Sequence, residues 1–201
     1  MIDRLRYFLG IYCVLLLPLG LLYWFVVHLG AKWWRRLGPA RTSLVVLPAL
    51  LACGILLFRF RALLLGPDLG TNWILIGVAI ALACVTFSLE PRYWKQIRIA
   101  TLVGIPEVSA AEHQRDELLR DGDYAIVRHP RYAISGVGTL GTVLFVNHLG
   151  LYLTMLAAIP TGLVMVMFEE RELVGRFGEA YRRYQRDVPR FVPRWRLRKR
   201  P

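Results

Sequence analysis

From Tyr132 to Phe168 the chain runs for 37 residues without a single Asp, Glu, Lys or Arg. Charged clusters stand at both ends: Arg128-His129-Pro130-Arg131-Tyr132 before the stretch and Glu169-Glu170 after it. A span of about 20 apolar residues crosses roughly 30 Å of hydrocarbon. The stretch is therefore long enough to enter a membrane, turn and come back, and the two clusters then meet on one side of the bilayer. Soluble domains interrupt their apolar segments with charge far more often.

The remainder of the chain follows the same pattern. Of its 201 residues, 56% are hydrophobic, and they run in blocks. The first block, Tyr7 to Ala31, is longer than a signal-peptide h-region and has no small-x-small cleavage site, so it reads as a retained helix. Five spans are expected: Phe8 to Leu29, kinked at Pro18; Ser43 to Leu65, with Arg59 and Arg61 snorkelling near its end; Asn72 to Leu89; Tyr132 to Val146; and Leu149 to Phe168, bent at Pro160. Turns are expected at Gly66-Pro67-Asp68-Leu69-Gly70 and at Asn147-His148-Leu149-Gly150. The fourth span is short, and Gly136, Gly138 and Gly141 give it small residues for close helix contact in a hairpin with the fifth. The fold class is thus all-α: a polytopic membrane protein with about five transmembrane helices, the last two a hairpin, followed by an amphipathic C-terminal helix on the cytoplasmic side. The natural division is 1–90, three N-terminal spans, and 91–201, a core holding both charged clusters.

Charge orients the bundle. The segment from Lys32 to Arg41 carries four basic residues and no acid, and its Lys32-Trp33-Trp34-Arg35-Arg36 run suits an interfacial belt. The turn at Asp68 has no basic residue. The 32–41 loop, the 90–131 segment and the tail are accordingly cytoplasmic and the N-terminus outside, with Arg4 and Arg6 against the rule. After Phe168 there are eleven basic residues and five acids. On a membrane protein such a tail marks the cytoplasmic side and anionic lipid headgroups; no nucleic-acid motif accompanies it. Arg outnumbers Lys 23 to 3, which fits a GC-rich prokaryotic source and hence its cytoplasmic membrane. Cys13, Cys53 and Cys84 lie in apolar blocks and read as small buried hydrophobes. The four histidines are scattered, so no metal is expected.

The tail begins as an amphipathic helix. Glu172 with Arg176 and Glu179 with Arg183 are spaced as i,i+4 pairs, Tyr181 and Tyr184 share a face, and Pro189 and Pro193 end the helix. Residues 106–122 read as a cytoplasmic helix or ordered loop of mixed charge.

The two clusters are where chemistry can reside. Pro130 suits a first helical turn, which puts Arg128 and His129 at a helix N-terminus, where an anion is favoured. Adjacent Glu169 and Glu170 repel each other unless a cation holds them. Snorkelling arginines, an aromatic belt and a solvated helix start are the plain alternatives. A site of carboxylates, Arg, His and Tyr suits a zwitterion that also carries a cation, and S-adenosylmethionine is one such ligand. An aromatic face attracts its sulfonium. A phosphate-bearing cofactor is not separated from it by these features.

Gly122-Asp123-Tyr124, Arg128-His129-Pro130-Arg131-Tyr132, Gly136, Glu169-Glu170-Arg171-Glu172-Leu173, Phe177-Gly178, Tyr181, Tyr184 and Pro193, in that order, resemble the C-terminal core of the isoprenylcysteine carboxyl methyltransferase family. That family is grouped with the membrane phospholipid methyltransferases. The resemblance covers about residues 120 to 193. It implies a membrane-embedded S-adenosylmethionine enzyme without a Rossmann domain, and no GxGxxG is present. By motif match, His129, Tyr132, Gly136, Glu169, Glu170 and Tyr184 are the cofactor-site candidates. Arg128 and Glu170 are the catalytic candidates, Arg128 orienting an acidic acceptor; an amine acceptor needs a base, for which Glu169, Glu170 and His129 all stand open. The acceptor is a lipophilic small molecule or lipid: an isoprenylcysteine-like carboxylate, a thiol or a lipid amine. Glu170→Ala or His129→Ala is expected to remove cofactor binding from a folded protein. Two alternatives remain open, a membrane reductase of the sterol-reductase type using NADPH and a non-catalytic membrane interaction protein.

Overall fold

The computed structural model describes residues 1–94 and 118–194, and they are helical almost throughout. The helices are α1 (Ile2–Leu29), α2 (Ala31–Leu37), α3 (Pro39–Arg59), α4 (Arg61–Leu65), α5 (Trp73–Trp94), α6 (Pro130–Val146), α7 (Leu149–Phe177) and α8 (Glu179–Asp187). A 3₁₀ turn, Gly122–Ala125, precedes α6. The expected segment at 106–122 lies outside the described residues apart from its last five, as does the basic tail beyond Arg194.

Among the described residues four helices are long and apolar enough to cross a membrane: α1, α3, α5 over Trp73–Glu90, and α7. They support an integral membrane protein. The fifth expected span is present as α6, but its 17 residues fall just short of that length. The second expected span is divided. α3 ends at Arg59, and after Phe60 the chain starts again as α4. Arg61 turns back at the break, donating to the Phe58 carbonyl at 3.0 Å and lying over the Phe58 ring. α7 continues past Phe168 through both glutamates to Phe177, where Gly178 at φ 56° ends it. α1 and α7 run through Pro18 and Pro160.

α6 packs chiefly on α5, not on its hairpin neighbour α7. A Cβ on Gly138 would meet Thr86 at 3.1 Å, and one on Gly141 would meet Leu82 at 3.2 Å, both on α5; one on Gly136 would meet nothing within 4 Å. Gly138 and Gly141 are three apart and share a helix face, whereas Gly136 is about 200° round the helix from Gly138 at 3.6 residues per turn. The three glycines thus do not form one packing face. α1 lies against α7 and α3, so helices from before and after residue 90 interleave.

At one end of the bundle the N-terminus, the 66–70 turn and the 147–150 turn come together around Arg6. Arg6 is only 1% exposed. It donates to the Val146 carbonyl at 2.9 and 3.1 Å, to Thr71 at 3.0 Å, and to Asp68 and Asp3. Of the two basic residues set against the charge rule, Arg6 is therefore neutralised within the protein, while Arg4 is exposed. Burial disfavours the ionised Asp68, but the Gly70 N–H and Arg6 outweigh it and hold that carboxyl below its ordinary value. Asn147 takes the left-handed conformation (φ 53°) that ends α6. Gly150 then sits directly on the Leu64 and Leu65 carbonyls.

At the other end lie α2, the start of α6 and the end of α7. Trp33 is exposed, as an interfacial belt requires, but Trp34 is buried and donates to the Val26 carbonyl. Arg35 points inward to Glu172 at 2.6 Å, and His28 meets the same carboxylate at 3.3 Å. These long-range partners take Glu172 where an i,i+4 pair with Arg176 was expected. Glu179 likewise pairs with Arg186 and Arg182 instead of Arg183. Of the cysteines, Cys13 is buried, Cys53 half-buried and Cys84 exposed on the apolar face of α5. In a membrane that face is covered by lipid, so burial in protein is not required of Cys84.

Candidate functional site

Two backbone bonds build the site. Pro189 and Pro193 stop the chain from continuing α8, which leaves the carbonyls of 188–190 free to accept. Arg128 N–H donates to the Pro189 carbonyl at 2.8 Å and His129 N–H to the Arg190 carbonyl at 3.0 Å. The tail is thereby laid against the residues that lead into α6. His129 is the N-cap and Pro130 occupies the first helical position, as the sequence requires.

The centre of this arrangement is Glu170, 5% exposed. Its Oε1 accepts from Arg128 Nε and Nη2 at 3.1 and 3.0 Å, from His129 Nε2 at 3.1 Å and from Arg190 Nε at 3.2 Å. Its Oε2 accepts from Arg190 Nη2 at 2.6 Å and Gln185 Nε2 at 3.3 Å. A carboxylate only accepts, so His129 Nε2 carries its proton. Arg128 Nη1 donates to the carbonyls of Gln185, at 2.8 Å, and Val188. Both Glu170 oxygens, and four of the five Arg128 N–H groups, are thus bonded inside the protein. Removing Glu170 would strand a buried guanidinium, so its variants should lose stability as well as any ligand.

Glu169 is placed differently. It is about a quarter exposed, and its Oε2 is shut off from solvent with no hydrogen-bond partner among the described residues. His129 Nδ1 lies 3.9 Å from that oxygen. The Tyr132 ring is 5.7 Å from the imidazole, one turn into α6. The structure therefore brings Arg128, His129, Tyr132, Glu169 and Glu170 together. Gly136 lies one turn beyond Tyr132 with open space where a side chain would be. Tyr184 is set apart: it is buried against Tyr181 and donates to the Tyr124 carbonyl at 2.7 Å, bracing the strand of chain behind the cluster. Burial pushes the Tyr184 phenol up to about 12, against the pull of Arg128. Burial, and then the charges of Glu170 and Glu169, raise Tyr181 as well.

Arg190 and Gln185 were not legible as site residues. The signal available was Arg190 itself, a cation held between two prolines, where an extended chain presents it away from any helix. Among the described residues no three His, Cys, Asp or Glu side chains come together to hold a metal ion.

No family model matches the chain, and no solved structure does. A protein-S-isoprenylcysteine O-methyltransferase from Schizosaccharomyces pombe is 35% identical to it over 88 residues, which is 43% of this chain and 37% of that protein. The match thus spans little more than a third of the relative's length. The likeness to the isoprenylcysteine carboxyl methyltransferases carried by the ordered motifs is borne out by this relative.

Proposed function

We propose that the chain is an integral membrane methyltransferase that uses S-adenosylmethionine and acts on a lipophilic acceptor at the cytoplasmic face. The observation that carries this reading is the contrast between the two adjacent glutamates: Glu170 is engaged by four side chains, whereas Glu169 has a carboxylate oxygen with no hydrogen bond among the described residues, 3.9 Å from His129 Nδ1 and near Tyr132. An oxygen withdrawn from water is costly unless it meets a donor, and the ammonium of the methyl donor is such a donor. The residues present therefore fit the cofactor. Glu169 would hold its ammonium, and His129 and Tyr132 would flank it with an imidazole and an aromatic face that favours a cation. Gly136 leaves room on the same helix. When bound, the cofactor supplies an electrophilic methyl group.

The chain's own part is alignment and exclusion of water. Arg128 and Arg190 hold Glu170, and Glu170 in turn orients His129 through Nε2. In this role Arg128 and Glu170 are positioning residues; Tyr184 fixes the 3₁₀ turn behind them. Alignment of this kind is worth several kcal/mol in a displacement, and a site with little water favours a reaction that destroys charge. Residues 91–201 would form the methyltransferase core, with 1–90 supplying the helices that enclose it. The test is calorimetric titration of the purified protein with S-adenosylmethionine and, separately, with NADPH. Binding of the first alone supports the reading. Binding of NADPH alone moves the chain to the reductases, and binding of neither to folded protein leaves a non-catalytic role.

A further inference from the structure

Arg131 follows the proline that starts α6, and its half-buried guanidinium has neither a hydrogen bond nor an ion pair among the described residues. It is held by rings instead: it lies 4.6 Å over Trp24 of α1 and 5.5 Å from the centre of the Tyr132 ring. Stacking fixes the plane of a guanidinium and leaves its N–H groups, which point outward in that plane, to other partners. Arg128 and Arg190 are already engaged by Glu170, and Arg35 by Glu172.

The helices set Arg131 level with Glu169. α1 and α7 run in the same direction: Arg6 near the start of α1 meets Val146 just ahead of α7, and His28 near the end of α1 meets Glu172 near the end of α7. Trp24 and Glu169 each stand about one turn before that second contact. Trp24 stacks on His28 at 5.3 Å, and the neighbours Phe25 and Phe168 pack edge to face at 6.0 Å. A line of rings joins the two charges. Glu169 Oε2 is 3.9 Å from His129 Nδ1, the His129 ring 5.7 Å from that of Tyr132, and the Tyr132 ring 5.5 Å from the Arg131 guanidinium. An anion and a cation, neither of them bonded to the other, thus share the junction of α1, α6 and α7.

We infer that Arg131 binds the carboxylate of the ligand whose ammonium Glu169 binds, and that Trp24 brings α1 into the site by holding Arg131 in place. The inference rests on the S-adenosylmethionine reading above. An amino-acid end presents an ammonium and a carboxylate side by side, and one unpaired carboxylate with one unpaired guanidinium complements both. S-adenosylmethionine is a net cation, so a guanidinium beside it opposes binding unless it meets the one anionic group the ligand has. The carboxylate thereby becomes a requirement. An analogue without it leaves Arg131 with no anion to meet and brings more positive charge to the same junction, and a site built around a polar group rejects the analogue that lacks it. Trp24 is a positioning residue, acting through Arg131.

The test is calorimetric titration of the full chain, in one detergent, with S-adenosylmethionine and with decarboxylated S-adenosylmethionine. The parent is expected to bind the intact ligand at least tenfold more tightly than the decarboxylated one, the scale of a lost charged hydrogen bond. Arg131→Gln removes no hydrogen bond within the protein and should melt within about 4 °C of the parent. It should weaken the intact ligand at least tenfold and leave the decarboxylated one no weaker. A cation that merely stood nearby gives the opposite sign, because its removal tightens a cationic ligand. Trp24→Leu should weaken the intact ligand by a smaller factor, spare the decarboxylated one, and have no further effect in the Arg131→Gln background. An equal loss of both ligands in Trp24→Leu would overturn its positioning role. Equal affinity of the parent for the two ligands, unchanged affinity in Arg131→Gln, or equal losses of both in that variant would overturn the inference. Binding that depends on Glu169 and not on Arg131 removes this inference alone; a folded parent that binds neither ligand removes it together with the methyltransferase reading.

Discussion

Exchanging the two adjacent glutamates for glutamine should have unlike consequences. Glu170 is held by Arg128, whose side chain is 8% exposed, by His129 at 4%, and by Arg190 at 37%. Glu170→Gln keeps the shape and an accepting amide oxygen but removes the charge, leaving the Arg128 guanidinium buried without a counter-charge. Breaking a buried pair in this way costs about 3–5 kcal/mol. The Arg190 contact adds little, since that side chain is partly solvated. A chain of this size loses roughly 2–4 °C of melting temperature per kcal/mol, so the fall is on the order of 6 to 20 °C. Glu169→Gln removes no hydrogen bond and should stay within about 0.5 kcal/mol of the parent. Thermal unfolding of the purified proteins in one detergent measures both, and an Arg128→Ala, Glu170→Ala double-mutant cycle should return a coupling above about 1.5 kcal/mol. Equal shifts for the two glutamates, or a coupling near zero, would refute the assignment of Glu170 as the organising carboxylate.

Other expectations follow from the fold. Arg6→Ala should destabilise by about 1–3 kcal/mol, because the buried Val146 carbonyl loses its charged donor; an unchanged melting temperature would contradict this. Gly150→Ala should cost at least the 1–3 kcal/mol typical of overpacking, or prevent folding, since its Cβ would fall 1.7 Å from the Leu64 carbonyl oxygen. Expression and unfolding assays report it. Tyr184, raised from 10.0 to about 12 by burial, keeps its proton in the fold while the unfolded chain loses it. Its contribution is therefore full below pH 10 and declines as the pH rises toward 12. Melting temperature should fall across that interval, and fall less in Tyr184→Phe.

The long-range organisation was legible because one uncharged stretch between two charged clusters forces a return through the membrane. That reasoning placed Glu169 and Glu170 beside Arg128 and His129, and Pro130 in the first helical turn. It could not assign partners within the cluster, since Glu169 and Glu170 are equivalent in composition and differ only by about 100° of helix rotation. Arg190 escaped for a related reason: its approach depends on two backbone bonds between 128–129 and 189–190, and backbone pairing leaves no side-chain pattern. Local rules failed where distant partners competed. Glu172 is spaced for Arg176 but meets Arg35 and His28, which arrive from the first two helices. The small-residue face of α6 was misread because spacing by two places Gly136 and Gly138 on different sides of a helix.

The central claim is that Glu169 is the cofactor's carboxylate. Calorimetric titration of S-adenosylmethionine into the purified parent and into Glu169→Gln, with matched melting temperatures, tests it most directly. The predicted result is one site per chain in the parent and affinity lowered at least tenfold in the variant, the loss of a charged hydrogen bond. Equal affinity in the two proteins, or no binding to the folded parent, would contradict it.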